Sequence, residues 1–463
     1  MSTTPTTPTA STAAAPSGGA PAVRRELSPL ERWYWIADRI APLNVVGRVR
    51  LHGPVTGAAL RSALTALQAR HPLLRVAIEP GGPGEEPRFT PVDDRPVPLD
   101  HRVLDTPAAA GDDWQRVIDR ELVNGRVDWR AGPLATATVL TSPGPDGGTH
   151  DLILSLLHVI ADGTTVISLL RQWAELAAGL PVEPRAVLPP AEDLFPAGHR
   201  GTAGEAPARA KADRDEADLL RLAPRRVDAD EAVPFEWRRT RFLHRALDGD
   251  ALESLARACR ARGVTVHGVL TAAMVHAVAT DAGAADGTWY SIGSPVDFRG
   301  DLEPPVDPDD VGSYVATIPS LVEHAAARPL WETAREISAD LRARKARGEH
   351  FSMIRLIGLS GPRNLAEAMP FVRHLDEKGP INFCVSNIGR FPFPDAVGPW
   401  RATGAQFVAS LSVVGTFVAT VNSSHHQLVW NFTYAEGTVA DERAARLADR
   451  CVETVLALVR AAD

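Results

Sequence analysis

Cysteine is scarce in this chain. Only Cys259, Cys384 and Cys451 occur among 463 residues, widely separated and odd in number. Such a set supplies neither a disulfide framework nor paired zinc ligands, so the three read as small buried hydrophobes. A basic block is also missing, as is any Lys/Arg cluster interleaved with aromatics. The formal net charge is −8, and nucleic acid is therefore not an expected partner. No hydrophobic run is suited to a membrane span. The long uncharged stretch from Phe407 to Ser424 is broken by Ser, Gly, Thr and Asn and rich in β-branched residues, which fits two paired strands. Residues 1–25, rich in Thr, Pro, Ala, Ser and Gly, carry no charged segment ahead of an apolar one, so they read as a disordered tail and not a signal peptide. A Gly-rich phosphate loop, a Walker-type lysine and a Gly-x-Ser-x-Gly elbow are absent, which argues against nucleotide-dependent and serine-hydrolase mechanisms.

What remains is a globular, cytoplasmic protein: 44% of residues are apolar, enough for real cores, and the length allows two to four domains. Strand and helix signals alternate, pointing to a mixed α/β sandwich. In the first half, residues 26–180, strands are expected at Asn44–His52, Leu74–Ile78, Arg88–Val92, Leu134–Thr141 and Leu152–Leu157. Helices are expected at Thr56–Arg70, with Thr56 as N-cap, at Asp112–Val123, and after Gly163. Residues 181–236, with prolines at 181, 184, 189, 190 and 196 and then a charged stretch, read as an interdomain linker with one exposed helix. The alternation resumes over 237–463, with strands at Thr240–Leu247, Trp289–Pro295, Tyr314–Leu321, Ile381–Ser386, Gln406–Leu411, Phe417–Asn422 and Leu428–Tyr434. Helices are expected there at Gly249–Arg262, Val266–Asp281, Pro329–Arg347 and Ala440–Leu458.

The most informative segment is Leu157-His158-Val159-Ile160-Ala161-Asp162-Gly163. An apolar run, Asp151 to Leu157, precedes it, and Val166, Ile167, Leu169, Leu170, Trp173 and Leu176 follow at helical spacing. A strand ending in His that turns through Asp-Gly into a helix presents one imidazole at a sheet edge. Histidine can both take and give a proton near neutrality, which makes His158 a candidate general base. Asp162 stands at the N-cap of the following helix. Gly163 allows either an unusual backbone conformation or a close approach. Ser386-Asn387, placed after an apolar strand and before Gly389, offers a polar donor for a developing oxyanion, or plain turn chemistry. His425-His426 could suggest a metal, but adjacent strand residues face opposite ways and no third ligand pattern is near, so the pair reads as a hairpin turn.

The His158 segment resembles the His-His-x-x-x-Asp-Gly signature of the chloramphenicol acetyltransferase and condensation-domain superfamily, with Leu157 in place of the first histidine. Ser294-Pro295-Val296-Asp297-Phe298-Arg299-Gly300-Asp301-Leu302, followed by Val311 to Val315, resembles the second signature. Leu27 to Arg32, Leu67 to Arg75 and Val385 to Arg390 are also similar to it, in the family's order. Within the superfamily the chain is most similar to polyketide-associated acyltransferases of the phthiocerol dimycocerosyl transferase type. The resemblance implies two like α/β lobes forming a pseudo-dimer around a tunnel. It implies a stand-alone, trans-acting acyltransferase of actinobacterial natural-product or complex-lipid biosynthesis, working as a monomer. The acyl group would come from a thioester on an acyl carrier protein or coenzyme A and pass to a hydroxyl or amine of a small molecule, with no metal or redox cofactor. It further implies that Arg299 pairs with Asp162 and shapes the turn that holds His158, and that Ser386 and Asn387 lie near the channel. Leu157 leaves open a fold repurposed for cyclisation or another rearrangement; a second alternative is a non-catalytic module that binds a carrier protein.

Overall fold

A computed structural model describes residues 22–82, 85–104, 112–181, 183–379, 381–411, 413 and 415–461. Two six-stranded sheets carry the architecture. The first runs, edge to edge, through Ala396–Val397, Trp400–Ala409, Asn44–His52, Thr149–Leu157, Ala135–Ser142 and Leu99–Val103. Its pairings are antiparallel except the last, where Leu99–Val103 runs parallel to Ala135–Ser142. The strand Thr149–Leu157 is central and buried on both faces, which explains why its sequence is a continuous apolar run and not an alternation.

Helix Gly163–Ala177 lies on this sheet beside helix Gly57–Arg70. Gly47 makes the close seating feasible, because a Cβ there would stand 2.7 Å from Val166 Cγ2. The two helices are joined by Trp173, fully buried, whose indole N–H donates to the Leu60 carbonyl at 2.9 Å. Truncating a residue so placed costs about 3–5 kcal/mol. Thr56 is the N-cap of its helix, its hydroxyl accepting from Ala59 N.

The second sheet orders Val315–His324, Thr288–Asp297, Phe383–Arg390, Phe417–Ser424, Gln427–Ala435 and Thr240–Leu247. Helices Val266–Asp281, Asp441–Arg460, Gly249–Arg262 and Leu330–Ala346 contribute to its core. Val266–Asp281 is apolar nearly all round because it is the helix that this lobe encloses. Among the described residues no single helix is long and apolar enough to cross a membrane. A small third sheet joins Arg25–Glu26, Arg88–Pro91 and Val76–Glu79.

Several expected boundaries move. Most of the predicted tail, residues 1–21, lies outside the described residues, but its end does not read as tail. Val23 is buried and Arg25 pairs with Phe89 in the small sheet, its guanidinium 5.1 Å from the Phe89 ring and bonded to both Glu31 carboxylate oxygens. The stretch 181–236 is docked and not a loose spacer. Phe195 sits in an aromatic cluster with Phe298 and Phe351, and helix Glu205–Leu222 packs on Glu349–Ser360 with Lys211 buried against Asp215. Residues 396–409, expected in the second half, complete the first sheet. Trp400–Ala409 pairs there with Asn44–His52, so the chain crosses back between lobes. Strand Leu99–Val103 and helices Glu349–Ser360 and Leu365–Lys378 were not expected. The predicted helix at 112–123 divides into Asp113–Val117 and a wider-turned segment Ile118–Leu122. Cys259 and Cys451 are buried as read, whereas Cys384 is only partly so.

Candidate active site

His158 is the first residue after strand Thr149–Leu157, and its amide donates to the Leu43 carbonyl at 3.0 Å. Alternation along the strand separates it from its neighbour. Leu157 is fully buried in the first lobe's core, while the imidazole is only half-buried. The Tyr34 ring, from helix Pro29–Ile40, lies on the imidazole with centroids 4.3 Å apart and planes 20° apart. The Ser313 hydroxyl stands 3.4 Å from Nδ1. Among the described residues no hydrogen bond engages Nε2. Burial holds the imidazole's pKa below the ordinary 6.5, against the opposing pull of its own carbonyl, the Asp162 carboxylate and the Ala161 carbonyl. The neutral ring, the form able to accept a proton, is therefore favoured at neutral pH.

Asp162 does two things at once. As N-cap of helix Gly163–Ala177 it accepts from Thr165 N at 3.0 Å, and its second oxygen accepts from Tyr314 N at 2.8 Å. Arg299 donates to both oxygens, Nη2 to Oδ1 and Nη1 to Oδ2, each at 2.9 Å. Arg299 also donates to Thr165 Oγ1 at 2.7 Å and to Asp297 Oδ2 at 2.8 Å, and its guanidinium lies 4.6 Å from the Tyr314 ring centroid. Burial alone would raise the Asp162 pKa. The Arg299 charge and these hydrogen bonds outweigh it and hold the carboxyl below the usual carboxylate range. Arg299 stays firmly protonated, since the two carboxylates more than offset its own burial.

Gly163 is explained by a close approach and not by an unusual backbone angle. A Cβ there would stand 2.6 Å from Cε2 of Phe407, on the strand that the second half of the chain lends to the first sheet. Ser386 and Asn387 lie inside strand Phe383–Arg390, opposite Thr420 and Val421, and not after a strand as expected. The Asn387 side-chain oxygen accepts from Gly389 N at 2.8 Å, where Gly389 takes a φ of +73°. That is local turn chemistry, and no hydrogen bond among the described residues joins either residue to His158. His425 and His426, both with positive φ, form the two-residue turn between Ser424 and Gln427, as read from sequence.

Tyr34 and Ser313 are additions that sequence reasoning missed. Each lies just beyond or within a segment singled out for its resemblance, Leu27 to Arg32 and Val311 to Val315, but nothing local marks either as facing His158. Beside them opens a pocket lined by Ser28, Leu30, Glu31, Glu192, Ser313 and Tyr314, among others. Burial, and then the neighbouring Glu31 carboxylate, push the Glu192 carboxyl up to about 7.

The family described as phthiocerol/phthiodiolone dimycocerosyl transferase C-terminus matches residues 238–425. The TRI3 trichothecene 15-O-acetyltransferase of Fusarium sporotrichioides superposes with a TM-score of 0.72 at 13% identity, covering 94% of this chain and 95% of that one. Polyketide synthase associated protein 5 of Mycobacterium tuberculosis gives 0.63 at 17% identity, covering 95% and 98%. This chain shares the fold of these two proteins. Tyrocidine synthase 3 of Brevibacillus parabrevis is 31% identical over 144 residues, which are 30% of this chain and 2% of that far longer protein.

Proposed function

We propose that the protein is an acyltransferase that moves an acyl group from a thioester to a hydroxyl or amine, with His158 as general base. The observation that carries this reading is the half-buried imidazole at a strand end, with Nδ1 facing Ser313 and Nε2 in no hydrogen bond among the described residues. The match of residues 238–425 to a dimycocerosyl transferase family and the fold shared with an acetyltransferase support the reaction class.

In the step proposed, His158 Nε2 takes the acceptor's proton as its oxygen or nitrogen attacks the thioester carbonyl. The C–O or C–N bond forms, the C–S bond breaks, and the imidazolium returns the proton to the departing thiolate. A positioned base of this kind contributes roughly 10²–10⁴-fold. Asp162 and Arg299 hold the turn and do not exchange protons, since their charges are already compensated. The donor is an acyl group on coenzyme A or on the phosphopantetheine of a carrier protein, and the product belongs to natural-product or complex-lipid biosynthesis.

The test is incubation of the purified protein with acyl-coenzyme A and acyl-carrier thioesters and a panel of alcohols and amines, followed by mass spectrometry. The expected result is an acylated acceptor formed together with an equal amount of free thiol. Thiol release without acylated acceptor would contradict transfer and indicate hydrolysis.

A further inference from the structure

The pocket beside Ser313 holds a carboxylate that the rest of the molecule leaves without a counter-charge. Glu192, from the docked stretch between the two halves, reaches the start of helix Pro29–Ile40, where its Oε1 accepts from Leu30 N at 3.0 Å. Ser28 lends a weaker contact, and Oε2 is buried without a hydrogen-bond partner. Among the described residues no ion pair engages Glu192. The neighbouring cation is already committed, because Arg25 donates to both oxygens of Glu31, Nη1 to Oε2 at 2.7 Å and Nη2 to Oε1 at 2.8 Å. Arg25, Glu31 and Glu192 together therefore leave the pocket negative. Other buried carboxylates of this chain are treated differently: Asp151 pairs with Arg48 and Arg50, and Glu349 with Arg344 and Arg347. A charge withdrawn from water is costly unless paired, so Glu192 calls for a partner that the chain itself does not supply.

The other walls limit what that partner can be. Leu73, Leu188, Pro189 and Ala191 supply apolar surface, while Ser28 and Ser313 add hydroxyl groups. The free space at the centre is about that of a single water molecule. A primary ammonium head has this size and three hydrogens to donate, enough for Oε2 and a hydroxyl oxygen together. A quaternary ammonium is larger and has no N–H. A divalent cation would require further oxygen ligands, and the Glu31 carboxylate is taken by Arg25 and by Ser28 N.

We propose that this pocket is a binding site for a primary ammonium group, held by Glu192 Oε2 with its alkyl stem along Leu73, Leu188 and Pro189. The site lies apart from the reacting atoms but shares a wall with them, since the Ser313 hydroxyl stands 3.4 Å from His158 Nδ1. It does not depend on His158 being the base. The ammonium group is carried by the acceptor or by a free amine, and the test separates the two.

The probe is propylammonium chloride, added to the full chain at pH 8, where Glu192, titrating at about 7, is ionised. Melting followed by circular dichroism should shift upward and saturate, because a ligand of the folded state stabilises it by mass action. Sodium chloride and tetramethylammonium chloride at the same ionic strength should not reproduce a saturable shift. Glu192→Gln keeps an oxygen for Leu30 N, so it should fold, yet bind the amine about tenfold more weakly, the difference between a charged and a neutral acceptor. Ala191→Leu, which fills the apolar wall, should remove the shift with Glu192 still in place, and it carries the test alone if Glu192→Gln does not fold. In transfer assays, propylammonium that competes with an amino-bearing acceptor assigns the site to the acceptor, and binding without competition assigns it to a free amine. An equal shift with all three salts, no saturable shift in the parent, or a shift kept in full by the folded variants would overturn the proposal.

Discussion

Arg299 and Asp162, 137 residues apart in the chain, meet through both carboxylate oxygens at 2.9 Å with side chains only 4% and 6% exposed. Removing Arg299 leaves the Asp162 carboxylate buried and uncompensated, a loss of about 3–5 kcal/mol, whereas removing Asp162 takes one of two carboxylate partners from Arg299 and leaves Asp297. Asp162→Ala and Arg299→Ala should therefore both lower the melting temperature and the transfer rate together. Variants that melt like the parent would contradict a structural role for the pair. The pair also sets an acid limit. The folded Asp162 pKa lies below its ordinary value of 3.8, so its contribution to stability is complete above that value and is lost as pH falls through the lower, folded value. Acid unfolding monitored by circular dichroism should show Asp162→Asn losing less stability than the parent across this range.

The pH profile of transfer follows from the His158 environment. Burial holds its folded pKa below 6.5, so the neutral base predominates at neutral pH. We expect kcat/KM to rise with pH through a midpoint below 6.5 and then to stay level between roughly pH 7 and 8. An acid limb centred above pH 7 would mean that another group titrates in the rate.

Gly163 and Phe407 form a size-matched contact across the two halves of the sequence. Gly163→Ala places a Cβ 2.6 Å from the ring, an overpacking that costs about 1–3 kcal/mol. Phe407→Leu opens space there, so the double variant should be less destabilised than the sum of the two single ones. Strict additivity in denaturant unfolding would show that the contact is not what requires glycine.

Much of the first lobe was legible in the sequence because local signals and tertiary structure agree there. Asn44–His52, the Thr56 cap and the turn from His158 to Asp162 stand where apolar periodicity and capping chemistry put them. Three kinds of feature were not legible. Trp400–Ala409 crosses to the first sheet, and no local pattern says which sheet a strand will join. Leu365–Lys378 has Pro370 inside it, a residue that argues against a helix. Tyr34 and Ser313 reach His158 only through tertiary packing, since they lie 124 and 155 residues from it. The Asp162–Arg299 pair was reached by resemblance and not by spacing. The Asn387 side-chain oxygen accepts from Gly389 N, which leaves the Asn387 amide group and the Ser386 hydroxyl as the donors that an oxyanion role would use.

Leu157, which replaces the first motif histidine, is fully exposed to the apolar core and closed to solvent. Leu157→His would bury a ring without a ready hydrogen-bond partner, at about 1–3 kcal/mol. Stability should fall and the transfer rate should not rise. A large gain in rate would show that the parent is a drifted member whose chemistry needs that second histidine.

The central claim is that His158 is the base of an acyl transfer, and it is tested most directly by the single-turnover transfer rate of His158→Ala, with folding verified by circular dichroism. The account predicts a folded variant slowed by roughly 10²–10⁴-fold, with acyl-thioester binding close to that of the parent. A folded His158→Ala that transfers the acyl group at nearly the parent's rate would contradict it.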